Sequence, residues 1–344
     1  MPDPTDSHFR AVLGALAEGR LTPFLGAGVN LLGRPEVESF APGKGRLPSG
    51  AELARYLAEV AGFEHAGVPD LARVCQWIEV MDGSGPLYRK LHAIFDGNFP
   101  IMGTHDLLAE LPTILRDRGW LGSPGPRYPL IVTTNYDDVL ERAFAERGES
   151  FDLVWYAARG EQRGRFLHRT PVGDVHEIIV PNEYIDVALR ERCAILKIHG
   201  AVSRSERVVD SDPAVPAVAA EADDDGRIDR DSYVITEDDY ITFLAQADIS
   251  GLLPVTLAGK LRRSNFLFLG YGLRDWNLRV ILHRIWTEHM TMGTYSSWAI
   301  QVEPEELDQR FWQRRNVEVI DMPLEQYVEQ LHERLLLFRS ADAA

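Results

Sequence analysis

Cysteine is almost absent from this 344-residue chain: only Cys75 and Cys193 occur, in separate segments and without a C-x-x-C spacing. Neither a disulfide framework nor a structural zinc site is therefore expected. Positive charge is also scarce. The 36 Lys and Arg residues face 52 Asp and Glu, giving a net charge of −16 and a pI near 5.1. A surface that tracks nucleic-acid phosphates needs clustered basic residues, so no direct nucleic-acid partner is expected. No stretch approaches the roughly 18 to 20 uninterrupted apolar residues that span a bilayer. The start, Met1 to Arg10, lacks the basic-then-apolar order of a signal peptide, and a cytoplasmic location away from membranes is expected. Neither a G-x-x-x-x-G-K-[ST] phosphate loop nor an evident DNA-reading motif occurs. With 45% hydrophobic and 26% charged residues, the chain can fill one large α/β domain with an insert, or two domains.

The most informative stretch is Ile131 to Arg142, where the apolar run Leu130 to Val132 ends in small polar and acidic side chains. The run reads as a buried strand, and Asp138 to Phe144 carries helical spacing, so Asn135 to Asp137 fall at a strand-to-helix junction. In open α/β sheets such junctions face the ligand crevice. Capping accounts for Asp137 or Asp138, but it does not account for Asn135. Two further strand tips share this character. Thr22 to Leu25 leads into Gly26-Ala27-Gly28-Val29-Asn30, where glycines let backbone amides approach a diphosphate. Leu31 replaces the third glycine of G-x-G-x-x-G, which leaves a ligand-free tight turn as the competing reading. Ala194 to Ile198 ends in His199-Gly200, where the histidine reads as either structural or catalytic and the glycine as space for a ligand.

The remaining segments alternate. Phe9, Val12, Leu13, Leu16 and Ala17 trace a first helix. Residues 33 to 50, rich in Gly and Pro, read as a long loop of the kind that acts as a lid. Helices are expected from Ser49, over 71–80, over 87–95 and over 105–111; His92 and His105 in this block are given no catalytic role. Strands are expected over 151–157, 232–235, 265–269 and 297–302, with hairpin or irregular structure over 166–181. Residues 203 to 231 read as an acidic, solvated loop. Thr236 and Asp239 resemble a capping box, and helices are expected over 252–261, 275–286 and 327–338. This alternation implies an α/β fold with a doubly wound, mainly parallel, Rossmann-like sheet. The expected division places a Rossmann-like domain in 1–33 and 128–344, and a lid loop with an inserted helical subdomain in 34–127.

Taken together, GAG (26–28), TTNYDD (133–138), KIHG (197–200), YVITEDDY (233–240) and FLGYGLRDWN (268–277) resemble the sirtuin-like proteins of bacterial antiviral defence, over about Leu21 to Val302. The resemblance implies NAD as ligand. Gly26, Ala27 and Gly28 would hold its diphosphate, with Asn30 and Thr134 beside them. Asn135 would sit at the nicotinamide ribose, and His199 would be catalytic. Gly270, Tyr271 and Gly272 would line the adenosine side, and Gln301 would touch its ribose. Two departures stand out. Sirtuin deacylases carry a four-cysteine zinc module, which two distant cysteines cannot build, and their Gly-Ile-Pro-Asp-Phe-Arg segment is replaced here by Gly33-Arg34-Pro35-Glu36.

The chemistry suited to these residues is cleavage of the nicotinamide–ribose bond. The leaving group is already cationic, so the site must stabilise oxocarbenium character and position water. Asn135 can position through both amide ends. His199, with an ordinary pKa near 6.5, can bond a ribose hydroxyl or act as general base, and Asp137 can orient either of them. No metal is expected. By resemblance, the chain is expected to be a toxic NAD hydrolase of antiphage defence, homo-oligomeric and activated by oligomerisation, a ligand, or a partner such as a HerA-type ATPase or an Argonaute. The alternatives are an NAD-dependent deacylase or ADP-ribosyltransferase, and a non-catalytic NAD or ADP-ribose sensor that regulates a partner ATPase or nuclease.

Overall fold

The computed structural model describes residues 4–34, 40–64, 66–121, 128–203, 231–245, 249–272, 279 and 296–338. The expected helix over 275–286 lies outside them except for Arg279, as do residues 204–230 of the acidic loop and 35–39 of the Gly-Pro-rich segment.

Among the described residues nine strands form one sheet: β1 (Leu21–Leu25), β2 (Leu130–Thr133), β3 (Phe151–Tyr156), β4 (Phe166–Arg169), β5 (Val175–Glu177), β6 (Cys193–Lys197), β7 (Asn265–Leu269), β8 (Ser297–Gln301) and β9 (Val317–Asp321). Their order is β5-β4-β3-β6-β2-β1-β7-β8-β9. Only the β3–β4 and β4–β5 pairings, which form the expected hairpin region, are antiparallel. The fold is therefore the α/β, Rossmann-like, mainly parallel sheet expected from the sequence. Residues alternate between faces with the period of a strand. Leu267 and Leu269 enter one core with α1 (Pro4–Ala17), α5 (Gly103–Asp117), α6 (Val139–Glu146) and α11 (Leu324–Leu337). Phe266 and Phe268 enter the opposite core with α7 (Glu237–Ala245), α9 (Val255–Arg262) and α10 (Glu306–Gln313).

Register fixes where the site lies. Leu25 aligns with both Thr133 and Leu269, and Thr133 aligns with Lys197, so the residues after these four positions emerge at one edge of the sheet. From β1 the chain proceeds to β2 on one side and later places β7 on the other, which makes this edge a topological switch point. Pro23 sits in the middle of β1. It lacks an N–H for the ladder, and the β1–β2 pairing is confined to Phe24 and Leu25.

Above that edge, α2 (Gly50–Ala61), α3 (Leu71–Asp82) and α4 (Ser84–Phe95) build a third core with Tyr136, Val139, Tyr233 and Ile235. Ser49 and Glu52 form a reciprocal capping box that starts α2. Asp231, its side chain wholly buried, accepts hydrogen bonds from the Ser203 amide at 2.7 Å, the Ser203 hydroxyl at 2.9 Å and the Tyr233 hydroxyl at 2.8 Å. His92 Nδ1 lies 2.8 Å from the same carboxylate. Hydrogen bonds to the Asp231 and Asp96 carboxylates raise the His92 pKa to about 10.

Two expectations are corrected, and one stretch that carried no expectation proves ordered. Residues 232–235 are extended but form no ladder strand. They run beside 199–202, with the Val234 amide donating to the His199 carbonyl and the Ser232 amide to that of Ala201. The apolar stretch 252–261 is divided by Pro254, so that α8 (Ile249–Leu252) ends before α9 starts. The polar stretch 303–321 holds α10 and β9, neither of which was expected; Trp312 and Val317 bury it against the sheet.

Candidate active site

The tips of β1, β2, β6 and β7 enclose a cleft of about 440 Å³. That volume lies within the range of small-molecule sites. Of the residues singled out in the sequence, Ala27, Gly28, Asn30, Thr134, Asn135, Asp137, His199, Gly270, Tyr271 and Gly272 line it. Gly26 does not. Gln301 lines an adjoining pocket of about 280 Å³, which shares Gly28, Gly270, Tyr271 and Gly272 with the cleft. His92 and His105 line neither.

The β1 turn is a short 3₁₀ segment, Ala27–Leu31, fastened to the β7 tip through the Gly26 amide on the Leu269 carbonyl and the Gly28 amide on that of Gly270. A Cβ at either Gly26 or Gly28 would stand 2.7 Å from the Gly270 oxygen. The glycines are thus required first for this backbone contact, a reason not foreseen from the sequence. Gly200 is corrected in the same way. With φ at +91°, its open side is filled by the Ser232 backbone rather than left for a ligand.

Asn135 follows β2, with its amide held by the Thr133 hydroxyl at 3.0 Å and its side-chain nitrogen 3.3 Å from the Gly26 carbonyl. One amide end is therefore engaged by the protein, whereas both had been expected to serve a ligand. Its Oδ1 has no partner among the described residues. Thr134 Oγ1 lies 2.7 Å from the Tyr271 hydroxyl, which joins the β2 and β7 tips.

Asp137 is buried and uses both oxygens. Oδ1 accepts the Val139 amide at 3.1 Å, which caps the start of α6, and Oδ2 accepts the Asn30 side-chain amide at 3.0 Å. A carboxylate accepts only, so the Asn30 nitrogen must face it. Asn30 Oδ1 is left buried and without a hydrogen-bond partner among the described residues.

His199 is buried between Tyr240 and Phe243, whose rings stand edge-on at 5.4 and 5.9 Å. Its Nε2 is buried and also lacks a hydrogen-bond partner among the described residues. Burial lowers its pKa to about 3, which corrects the expectation of an ordinary value and makes the imidazole neutral at pH 7. Tyr240 closes the YVITEDDY motif, and its place in the cleft wall was not foreseen from the sequence. Nor were Leu53, Leu71 and Phe95, which also wall the cleft. Their helical spacing marked them only as core.

Among the described residues, no group of three or more His, Cys, Asp or Glu side chains is placed to hold a metal ion. Both cysteines are free and buried, in different cores. No helix of the described residues is long and apolar enough to cross a membrane.

No curated protein matches the chain in sequence. SIR2-like domains bind NAD and commonly act as NAD-dependent enzymes, and a cleft at the switch point of a Rossmann-like sheet suits that ligand. The family model for the SIR2-like domain matches residues 129–320, more than half of the chain, and the chain belongs to that family.

Proposed function

We propose that the chain is an NAD hydrolase that releases nicotinamide and ADP-ribose, with Asn135, His199 and Asp137 as its working residues. The observation that carries this reading is the pair of buried atoms without hydrogen-bond partners, His199 Nε2 and Asn30 Oδ1, on residues that line the same cleft as Asn135. Leaving a buried polar atom unsatisfied costs about 1–3 kcal/mol, a cost that a polar ligand can relieve. In the proposed reaction the bond between ribose C1′ and the nicotinamide nitrogen breaks, and its electron pair leaves with neutral nicotinamide. Water oxygen bonds to C1′ and releases one proton. A neutral His199 accepts a hydrogen bond from water or a ribose hydroxyl without placing positive charge beside the developing oxocarbenium ion. Asp137 holds Asn30 toward the cleft, and Asn135 Oδ1 orients the attacking group.

In this reading residues 1–33 and 128–344 carry the NAD site, and the helical residues within 34–127 wall it. The Gly28 turn takes the diphosphate, with Thr134 beside it, and Gln301 with the 270–272 tip takes the adenosine end. The biological role we propose, a toxic effector of antiviral defence that is controlled by self-assembly or a partner, rests on the motif resemblance. The test is incubation of purified protein with NAD, alone and with an acylated peptide, followed by chromatographic separation of the products. Nicotinamide and ADP-ribose without peptide support the hydrolase. Release that requires the peptide transfers the assignment to a deacylase, and NAD binding without turnover transfers it to a sensor.

A further inference from the structure

A lysine outside the cleft stands behind its working loop. Lys197 ends β6, two residues before His199, and its side chain is 1% exposed. Its ammonium donates to the Tyr136 carbonyl at 3.2 Å, to the Asp137 carbonyl, and to Glu141 Oε1 at 2.7 Å. An ammonium has three donors, and all three are accounted for here. Two of the acceptors are main-chain atoms of the junction that carries Asn135 and Asp137. The third belongs to the first turn of α6, so the lysine binds that junction to the helix following it. The Tyr136 carbonyl also accepts the Val202 amide at 2.9 Å, which ties the junction to the chain just beyond His199. Burying an ammonium is costly unless it is paired and hydrogen-bonded, and a methionine would fill the same space without that cost.

We infer that Lys197 is a positioning residue: it fixes the Asn135–Asp137 junction relative to His199, so that the residues on β2 and β6 keep one geometry. This rests on the proposed hydrolase reading for its kinetic consequence, but its structural consequence can be read independently. Removing Lys197 alone would strand the buried Glu141 carboxylate, so the informative variant removes both partners. Replacing a buried ion pair with apolar residues is often neutral for stability.

The experiment compares wild type with Lys197→Met/Glu141→Leu by thermal melting, NAD kinetics and amide hydrogen exchange at Asn135 and Val202. The expected result is a melting temperature close to wild type, kcat lower by about 100-fold with KM little changed, and faster exchange at both amides. A double variant with wild-type turnover and wild-type exchange overturns the inference and leaves the pair a structural ornament of the core. If wild type itself releases no nicotinamide, the hydrolase reading fails, yet exchange still decides the lysine: faster supports positioning, unchanged overturns it. Should the double variant not fold, Lys197→Gln is read by the same exchange criterion.

Discussion

Asn30 and Asp137, more than a hundred residues apart in sequence, are joined at 3.0 Å across the cleft floor, through a carboxylate that also caps α6. One side chain thus couples helix geometry to the β1 turn. Asp137→Asn replaces an acceptor with an amide that cannot serve both donors. It should cost about 1–2 kcal/mol of stability and reduce NAD turnover. Denaturant titration and nicotinamide release measure the two effects, and a variant that loses neither would reduce Asp137 to a bystander.

His199 offers an opposite signature. Its unpartnered nitrogen lies among aromatic rings, so His199→Leu removes an unsatisfied polar atom while roughly keeping volume. The melting temperature should hold or rise, and turnover should fall by at least about 100-fold. A marked loss of stability would assign the histidine to the fold instead.

The depressed His199 pKa sets a pH profile. With the folded value at about 3, the neutral form persists well below 6.5, so kcat/KM should show no inflection near 6.5 between pH 8 and 5. Initial rates over that range, with stability monitored in parallel, provide the check. Stability itself should fall on acidification. His8 and His105 are also lowered, each to about 4, by burial. Below about 6.5 the unfolded chain takes up protons at these positions that the folded chain refuses.

His92 titrates in the other direction. Its pKa is raised to about 10 by Asp231 and Asp96, so its contribution is fully present below about 6.5 and declines as pH rises through 10. His92→Gln should therefore destabilise by about 3 kcal/mol at pH 6 and by distinctly less at pH 10. Equal losses at both pH values would show that packing, and not charge, accounts for the effect.

Two glycines of one tip should behave differently. Gly270 has φ at +71° and lies against the Gly28–Val29 backbone, whereas a Cβ at Gly272 would meet nothing within 4 Å among the described residues. Gly270→Ala should cost at least about 2 kcal/mol and weaken NAD binding; Gly272→Ala should leave stability within about 0.5 kcal/mol. Denaturant midpoints and calorimetric titration with NAD compare them.

The central parallel strands β1, β2, β6 and β7 were legible because every one of their residues is buried and they read as apolar runs bounded by glycine or polar tips. Thr236 and Asp239 were legible as a reciprocal cap, with amide-to-side-chain distances of 3.1 Å each way. Residues 232–235 carry the same β-branched signature as a strand, but the Ser232 and Val234 amides bond to the bend at 199–201, a tertiary arrangement that no local pattern encodes. The stretch from 303 was opaque because only two buried apolar residues, Trp312 and Val317, anchor it among charged neighbours. The candidate site was legible as types at strand tips. What the sequence did not contain was who holds whom: the Asn30–Asp137 bond and the environment that shifts His199 depend on chain segments far apart in sequence.

The Asp231 carboxylate that receives both the amide and the hydroxyl of Ser203 has one further consequence. It closes the chain at a neck, so that residues 203 and 231 meet on a single buried charge inside the third core. The Val202 amide, one residue before Ser203, bonds the Tyr136 carbonyl at 2.9 Å, so this one carboxylate also moors the chain that braces the residue next to Asn135.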